Sequence, residues 1–176
     1  MSDDLIRRLR AGEAAAAREI EERYRLPLVR YAHRFLDDAA LAEDVAQEVL
    51  VRALGLDEPP EQLKPWLYRA VRNKCMNVRR DRGRRPEERM SSDPGLAESR
   101  TGHLTRLVRA EQRAALAAYL DEMSIEQREV LDLRYGEDLS RDEIAVVLGL
   151  EPSVVKSRLY EGMKRLREKA AMLERA

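Results

Sequence analysis

The chain has 176 residues, of which 38% are charged and 5% aromatic, a composition that suits exposed helices rather than sheets and leaves each of two small modules too little core for a deep active site. Formal net charge is zero, so only the distribution of charge along the chain can point to a polyanionic partner. The lone Cys75 excludes an intrachain disulfide framework. No apolar run approaches a membrane span, and the charged start (Asp3, Asp4, Arg7, Arg8) lacks a signal-peptide core, so a cytoplasmic protein is expected.

Leu5 to Arg10 and Ala14 to Arg25 read as helix broken at Gly12, and Pro27 reads as the start of a new helical run carrying Leu28, Tyr31, Ala32 and Phe35. A third helix, from about Leu41 to Leu54, repeats Leu41, Val45, Val49 and Ala53 every fourth residue and leaves Asp44, Gln47, Glu48 and Val51 on other faces. The stretch 55–63 contains Pro59-Pro60 and reads as a loop. A fourth helix, from Pro65 to about Arg82, is expected to turn Trp66, Leu67, Ala70, Val71 and Val78 inward and its arginines outward. A lone tryptophan at a helix start suits the core better than a site, and Cys75 suits a small buried position.

Charge is segregated along these elements. Residues 37–62 carry eight acids and one base, whereas residues 63–90 carry ten bases and three acids. The run 151–176 is again basic, with seven bases and four acids. Two basic segments behind one acidic segment suggest two nucleic-acid contacts and a separate protein contact.

From Arg84 to about Thr105 prolines, glycines and serines sit among charges, which reads as a linker. Leu104 to Leu120 is helical in pattern. Ser124 precedes Gln127 by three residues and Ser140 precedes Glu143 by three, the spacing of reciprocal capping boxes. A short helix Arg141 to Leu148, a turn at Gly149 and Pro152 at the next helix start have helix-turn-helix spacing. Stepping 100° per residue along the second helix groups Val155, Leu159, Gly162, Met163 and Leu166 on a buried side. Opposite lie Ser153, Ser157, Tyr160, Glu161 and Lys164, flanked by Lys156, Arg158 and Arg167. Hydroxyls, a ring and cations are what reach phosphates and base edges in a major groove; a solvated amphipathic helix has the same pattern.

Taken in order, Ala42-Glu43-Asp44-Val45-Ala46-Gln47-Glu48-Val49, then Lys64-Pro65-Trp66-Leu67-Tyr68-Arg69-Ala70-Val71-Arg72-Asn73, then Gln127-Arg128-Glu129-Val130-Leu131, Leu139-Ser140 to Ala145 and Val155-Lys156-Ser157-Arg158-Leu159 resemble the extracytoplasmic-function (ECF) sigma factors of bacterial RNA polymerase. The resemblance implies an all-α fold of two small helical domains: a sigma region 2 bundle over residues 1–85 and a region 4 helix-turn-helix bundle over 107–176, joined by a linker over 86–106. It further implies that Asp44, Gln47, Glu48 and Val51 hold the clamp helices of the polymerase largest subunit. The minus-ten promoter element would meet Asp57, Glu58, Gln62, Lys64, Arg69, Arg72, Asn73, Asn77 and Arg80, with the loop 55–63 capturing a flipped base. The minus-thirty-five element would meet Arg141, Ser153, Lys156, Ser157, Arg158, Tyr160, Glu161 and Lys164, while region 4 also binds the polymerase flap. An anti-sigma factor is a further implied partner.

The chain departs from the family pattern at Leu63, where an aromatic is common, at Glu151, where a hydroxyl residue is usual, and at Glu161-Gly162, where a base is usual. A second reading is a self-sufficient helix-turn-helix regulator that binds an operator without polymerase. The basic fourth helix and its loop speak against it, because a dimerisation domain would not need them. An enzyme lacks support: the sequence has no phosphate-binding glycine loop and no nucleophile beside a histidine base. His33 and His103 are too scattered for a metal site, so neither a cofactor nor a metal is expected.

Overall fold

The computed structural model describes residues 2–56, 58–83 and 123–173. Among these residues there are only helices, turns and loops, and the chain divides into two compact units, Met1–Ala97 and Glu98–Ala176.

The first unit contains α1 (Ser2–Arg10), α2 (Ala14–His33), α3 (Ala39–Leu54) and α4 (Leu63–Gly83). Gly12 turns the chain between α1 and α2 with φ of 75°, a conformation that a Cβ disfavours. Contrary to the sequence expectation, α2 runs without interruption through Pro27. A proline inside a helix costs about 3 kcal/mol. Here the buried stripe Ala16, Ile20, Tyr24, Leu28, Tyr31 and Ala32 spans both sides of Pro27, and each large apolar side chain in it contributes about 1.5–3 kcal/mol. Packing therefore outweighs the local penalty.

Helix α3 begins at Asp38, whose carboxylate accepts from the Leu41 amide at 3.1 Å. Its buried face is wider than the every-fourth-residue pattern: Ala42, Val45, Ala46, Val49, Leu50 and Ala53, with Leu41 only half-buried. The three extra positions arise because α3 packs against both α2 and α4. Helix α4 buries Leu63, Leu67, Tyr68, Val71 and Cys75, whereas Trp66, Ala70 and Val78, expected inward, are only half-buried. The core is ordered by aromatic edges: the Tyr31 ring meets Phe35 at 5.3 Å and Tyr68 at 5.1 Å between centroids.

The second unit contains α5 (Ile125–Leu131), a π-helical turn (Asp132–Gly136), α6 (Arg141–Leu148) and α7 (Pro152–Leu173). Ser124 caps α5 by accepting from the Gln127 amide, but the expected return bond is replaced. Gln127 Oε1 instead accepts from Arg165 on α7 at 3.1 Å, because α5 packs on α7. At α6 the reciprocal capping box of Ser140 and Glu143 is complete. Leu131, Met123 and Leu166 form a buried cluster flanked by Leu159 and Met163. Gly162 is the point of closest approach, since a Cβ there would lie 3.0–3.3 Å from three atoms of the Leu131 side chain. The linker and the helical pattern over 104–120 lie outside the described residues.

Candidate nucleic-acid interface

On α3, Asp44, Gln47, Glu48 and Val51 occupy positions i, i+3, i+4 and i+7, and all four are exposed. Val51 is 65% exposed, an apolar centre beside two carboxylates. The opposite face of α3 is buried, so the row lies on the outer side of the N-terminal unit, with Glu48 reaching across to Lys74 on α4.

Beside that row, α3 and α4 enclose a groove of about 300 Å³ lined by Glu48, Val49, Arg52, Trp66, Arg69, Ala70, Asn73, Lys74 and Asn77. Arg69, Asn73 and Asn77 repeat every fourth residue along α4, which brings three of the expected DNA-contacting side chains to one wall. Arg80 falls on the same side by helical step and is exposed. Lys64 falls on the packed side of the first turn and is half-buried, so the structure does not bring it to the groove; Arg72 is also half-buried. Glu58 and Gln62 are exposed in the loop before α4, while Asp57 lies outside the described residues.

Sequence reasoning assigned neither Arg52 nor Trp66 to a site. Arg52 is the single base of the acidic stretch, and only tertiary packing shows that it faces α4. Lys74 pairs with Glu48 at 2.7 Å across the groove. Cys75 is fully buried behind the groove, and burial pushes its thiol up to about 12, so it is not a nucleophile at physiological pH. No group of three metal-ligating side chains occurs among the described residues.

In the second unit Gly149 adopts the left-handed conformation, φ 66° and ψ 38°, and its amide donates to Ala145 O. This ends α6 sharply and aims α7 away from it. Ser153, Lys156, Ser157, Tyr160, Glu161 and Lys164 are all exposed on α7, Tyr160 to 71%, as the helical step requires, and Arg141 is exposed at the start of α6. Arg158 is half-buried and faces Glu126. The Glu126 carboxyl is held below its usual range mainly by its own backbone amide, then by the Ser124 hydroxyl and by the Arg158 charge. A second hollow of about 330 Å³ is lined by Tyr135, Leu159, Tyr160, Met163, Lys164, Arg167 and Glu168. Tyr135 comes from the π-helical turn, whose wider backbone pushes a ring to the surface; helical periodicity does not foresee it.

Two family patterns match the chain: Sigma-70 region 2 over residues 21–85 and Sigma-70 region 4 over residues 113–166. The ECF RNA polymerase sigma factor SigL of Mycobacterium tuberculosis is 33% identical over 161 residues, covering 89% of this chain and 90% of the relative. The chain belongs to the ECF sigma factors. Among other relatives, the RNA polymerase sigma-E factor of Streptomyces coelicolor is 34% identical over 80% of this chain and 78% of its own length. The solved structure of CnrH in complex with the cytosolic domain of CnrY is 25% identical, with a TM-score of 0.61 over 97% of this chain and 95% of that one. As an ECF sigma factor the protein directs promoter-specific transcription initiation. Helix α1 precedes the first residue of the region 2 match, and the π-helical turn lies inside the region 4 match. No described helix is long and apolar enough to cross a membrane.

Proposed function

We propose that the exposed α3 row, Asp44, Gln47, Glu48 and Val51, docks on the clamp helices of the polymerase largest subunit. In this reading the α3/α4 groove, Arg80 and the loop around Glu58 and Gln62 engage the minus-ten element. The outer face of α7, with Arg141, reads the minus-thirty-five element. One observation carries the assignment: an acidic row with an exposed valine stands directly beside a groove lined by Arg52, Arg69 and Lys74. A carboxylate row repels DNA phosphates and suits a basic protein surface, while a cationic groove with two amides and a ring suits a nucleic-acid strand. One small domain thereby serves both partners on adjoining faces.

Residues 1–85 form the region 2 domain, 107–176 the region 4 domain and 86–106 the tether in this reading, so binding of either domain raises the effective concentration of the other. The hollow between Tyr135, Leu159 and Met163 offers the flap an apolar seat. The chain acts in the cytoplasm and supplies no catalysis; polymerase performs the chemistry. An anti-sigma factor would compete for the same exposed rows; the similar protein CnrH was solved in complex with another protein, the cytosolic domain of CnrY.

The test is to add the purified chain to core RNA polymerase with a genomic DNA library and map the transcript starts. Starts at a shared pair of promoter elements are expected, with weak DNA binding by the chain alone. Operator-like binding without polymerase at a two-fold site would overturn the reading. Asp44→Ala with Glu48→Ala should weaken holoenzyme assembly about tenfold or more; assembly at the wild-type level would remove the docking assignment.

A further inference from the structure

The loop between α3 and α4 is tied at both ends by backbone bonds: the Gly55 amide donates to Val51 O at 3.0 Å and the Trp66 amide to Gln62 O at 3.2 Å. Its middle is held from elsewhere. Arg10 Nη2, at the end of α1, donates to the carbonyl of Pro59 at 2.9 Å, across 49 residues of sequence. Pro59 is buried, whereas its neighbour Glu58 is exposed.

Chemistry explains why an outside donor is needed. Pro59 and Pro60 have no backbone N–H and fix φ near about −65°, and the residue before each is confined to extended backbone. Such a segment is stiff but cannot staple itself by its own amides. A guanidinium is always charged and presents several donors in a plane, so it can hold a carbonyl while its remaining N–H groups stay solvated. The neighbouring arginines of α1 are engaged differently: Arg7 pairs with Asp4, and Arg8 pairs with Glu13 and Glu19. Arg10 is the one of these three that reaches the loop. Leu5 and Ile6, 3% and 4% exposed, seat α1 against α2 and α4, so the guanidinium stands on a fixed platform. Because α1 precedes residue 21, where the region 2 pattern begins, the tie comes from outside that pattern.

We propose that Arg10 is a positioning residue for minus-ten recognition: by holding the Pro59 carbonyl it fixes the loop that presents Glu58 and Gln62 to the unstacked base. This rests on the reading of that loop given above. A base pocket discriminates only when its donors and acceptors are held to within a fraction of an ångström, and a stiff proline pair pinned at one carbonyl achieves this without a deep core. Freeing the pin leaves the fold of α2–α4 intact and lets the loop pivot, so selectivity falls before assembly does.

The experiment uses holoenzymes built from core polymerase and the full-length chain, as wild type, Arg10→Met, Arg10→Lys and the double variant Glu58→Ala with Gln62→Ala. Each is run on templates carrying all four bases at every minus-ten position of a promoter defined by mapped starts. The readout is the ratio of initiation rates between preferred and disfavoured base, which does not depend on the active fraction and so is not moved by simple destabilisation. Arg10→Met, which keeps the apolar stem, should lower the ratio about tenfold at the position that the loop reads and leave the minus-thirty-five ratios unchanged. Arg10→Lys, still a donor to the carbonyl, should retain more of the ratio than Arg10→Met. Wild-type ratios for Arg10→Met at every position, with reduced ratios for the double loop variant, would overturn the role of Arg10 alone. Wild-type ratios for the double loop variant as well would remove the loop reading and this proposal with it.

Discussion

Lys74 on α4 stands 2.7 Å from Glu48 on α3, so the ion pair bridges the row assigned to polymerase and the groove assigned to DNA. The side chains are 40% and 61% exposed, and water screens such a pair to about 0–1 kcal/mol. Glu48→Gln should therefore change folding stability by less than about 1 kcal/mol while weakening holoenzyme assembly about tenfold. Urea unfolding beside a titration with fluorescent core polymerase separates the two. A large stability loss would show that Glu48 serves the fold rather than the partner.

The close approach of Gly162 to Leu131 predicts a change of sign with background. In a free helix Gly→Ala gains about 1 kcal/mol. Here the new methyl would meet Leu131, which is 1% exposed and packed against Met123 and Leu166, and overpacking costs about 1–3 kcal/mol. Gly162→Ala should lower the stability of the second unit by about 1 kcal/mol. In a Leu131→Ala background, where the space is open, the same change should stabilise by about 1 kcal/mol. Chemical unfolding of the four proteins of this cycle checks both signs.

The same pair shows where the sequence was legible and where it was not. The helical step placed Val155, Gly162 and Leu166 on one side of α7, and the structure buries all three, because that periodicity is set by backbone geometry. Gly162 otherwise read only as part of a departure from the family pattern, since its reason lies in α5, a distant stretch of chain. Pro27 likewise read as a boundary, because the packing that carries α2 through it involves residues on both sides of the proline and on other helices. The polar patch of Asp44, Gln47 and Glu48 was visible from spacing alone, and Val51 joined it through the family resemblance. Trp66 was not visible: its half-exposed place beside Arg52 depends on how α3 and α4 meet. Tyr135 escaped because a π-helical turn breaks the period that the reading relied on, and Gln127 left its expected capping partner for Arg165 on another helix.

Asp38 caps α3, and its carboxyl lies below the ordinary aspartate value of 3.8, first because it accepts from the Leu41 amide and then because Arg82 donates to it. A lowered folded pKa means stability that is present above that ordinary value and is lost as pH falls through the folded one. Asp38→Ala should cost about 1 kcal/mol at neutral pH, and the difference from wild type should shrink as the pH drops below 3.8. Asp38→Asn, which can still cap, should lose less at neutral pH, and its smaller difference from wild type should shrink over the same acid range, because the pH dependence belongs to the wild-type carboxylate. Thermal melts of the three proteins between acid and neutral pH provide the measurement; a pH-independent gap between wild type and Asp38→Ala would contradict the assignment.

Cys75 titrates in the opposite sense. It is fully buried, and desolvation raises its thiol from 9.0 to about 12. A thiol whose folded pKa is raised contributes stability that is complete below the unfolded value and declines as pH climbs from 9.0 toward about 12, because the unfolded chain releases a proton that the folded chain keeps. Cys75→Ala carries no titrating group there, so the advantage of wild type over it should narrow across that alkaline range. At pH 8 the folded protein should resist a thiol-labelling disulfide reagent and react only as it opens, with the labelling rate following the open population in urea. Rapid labelling of the native protein at neutral pH would mean that the space behind the α3/α4 groove is open to solvent, and the packing that positions Asn73 and Lys74 on its wall would have to be redrawn.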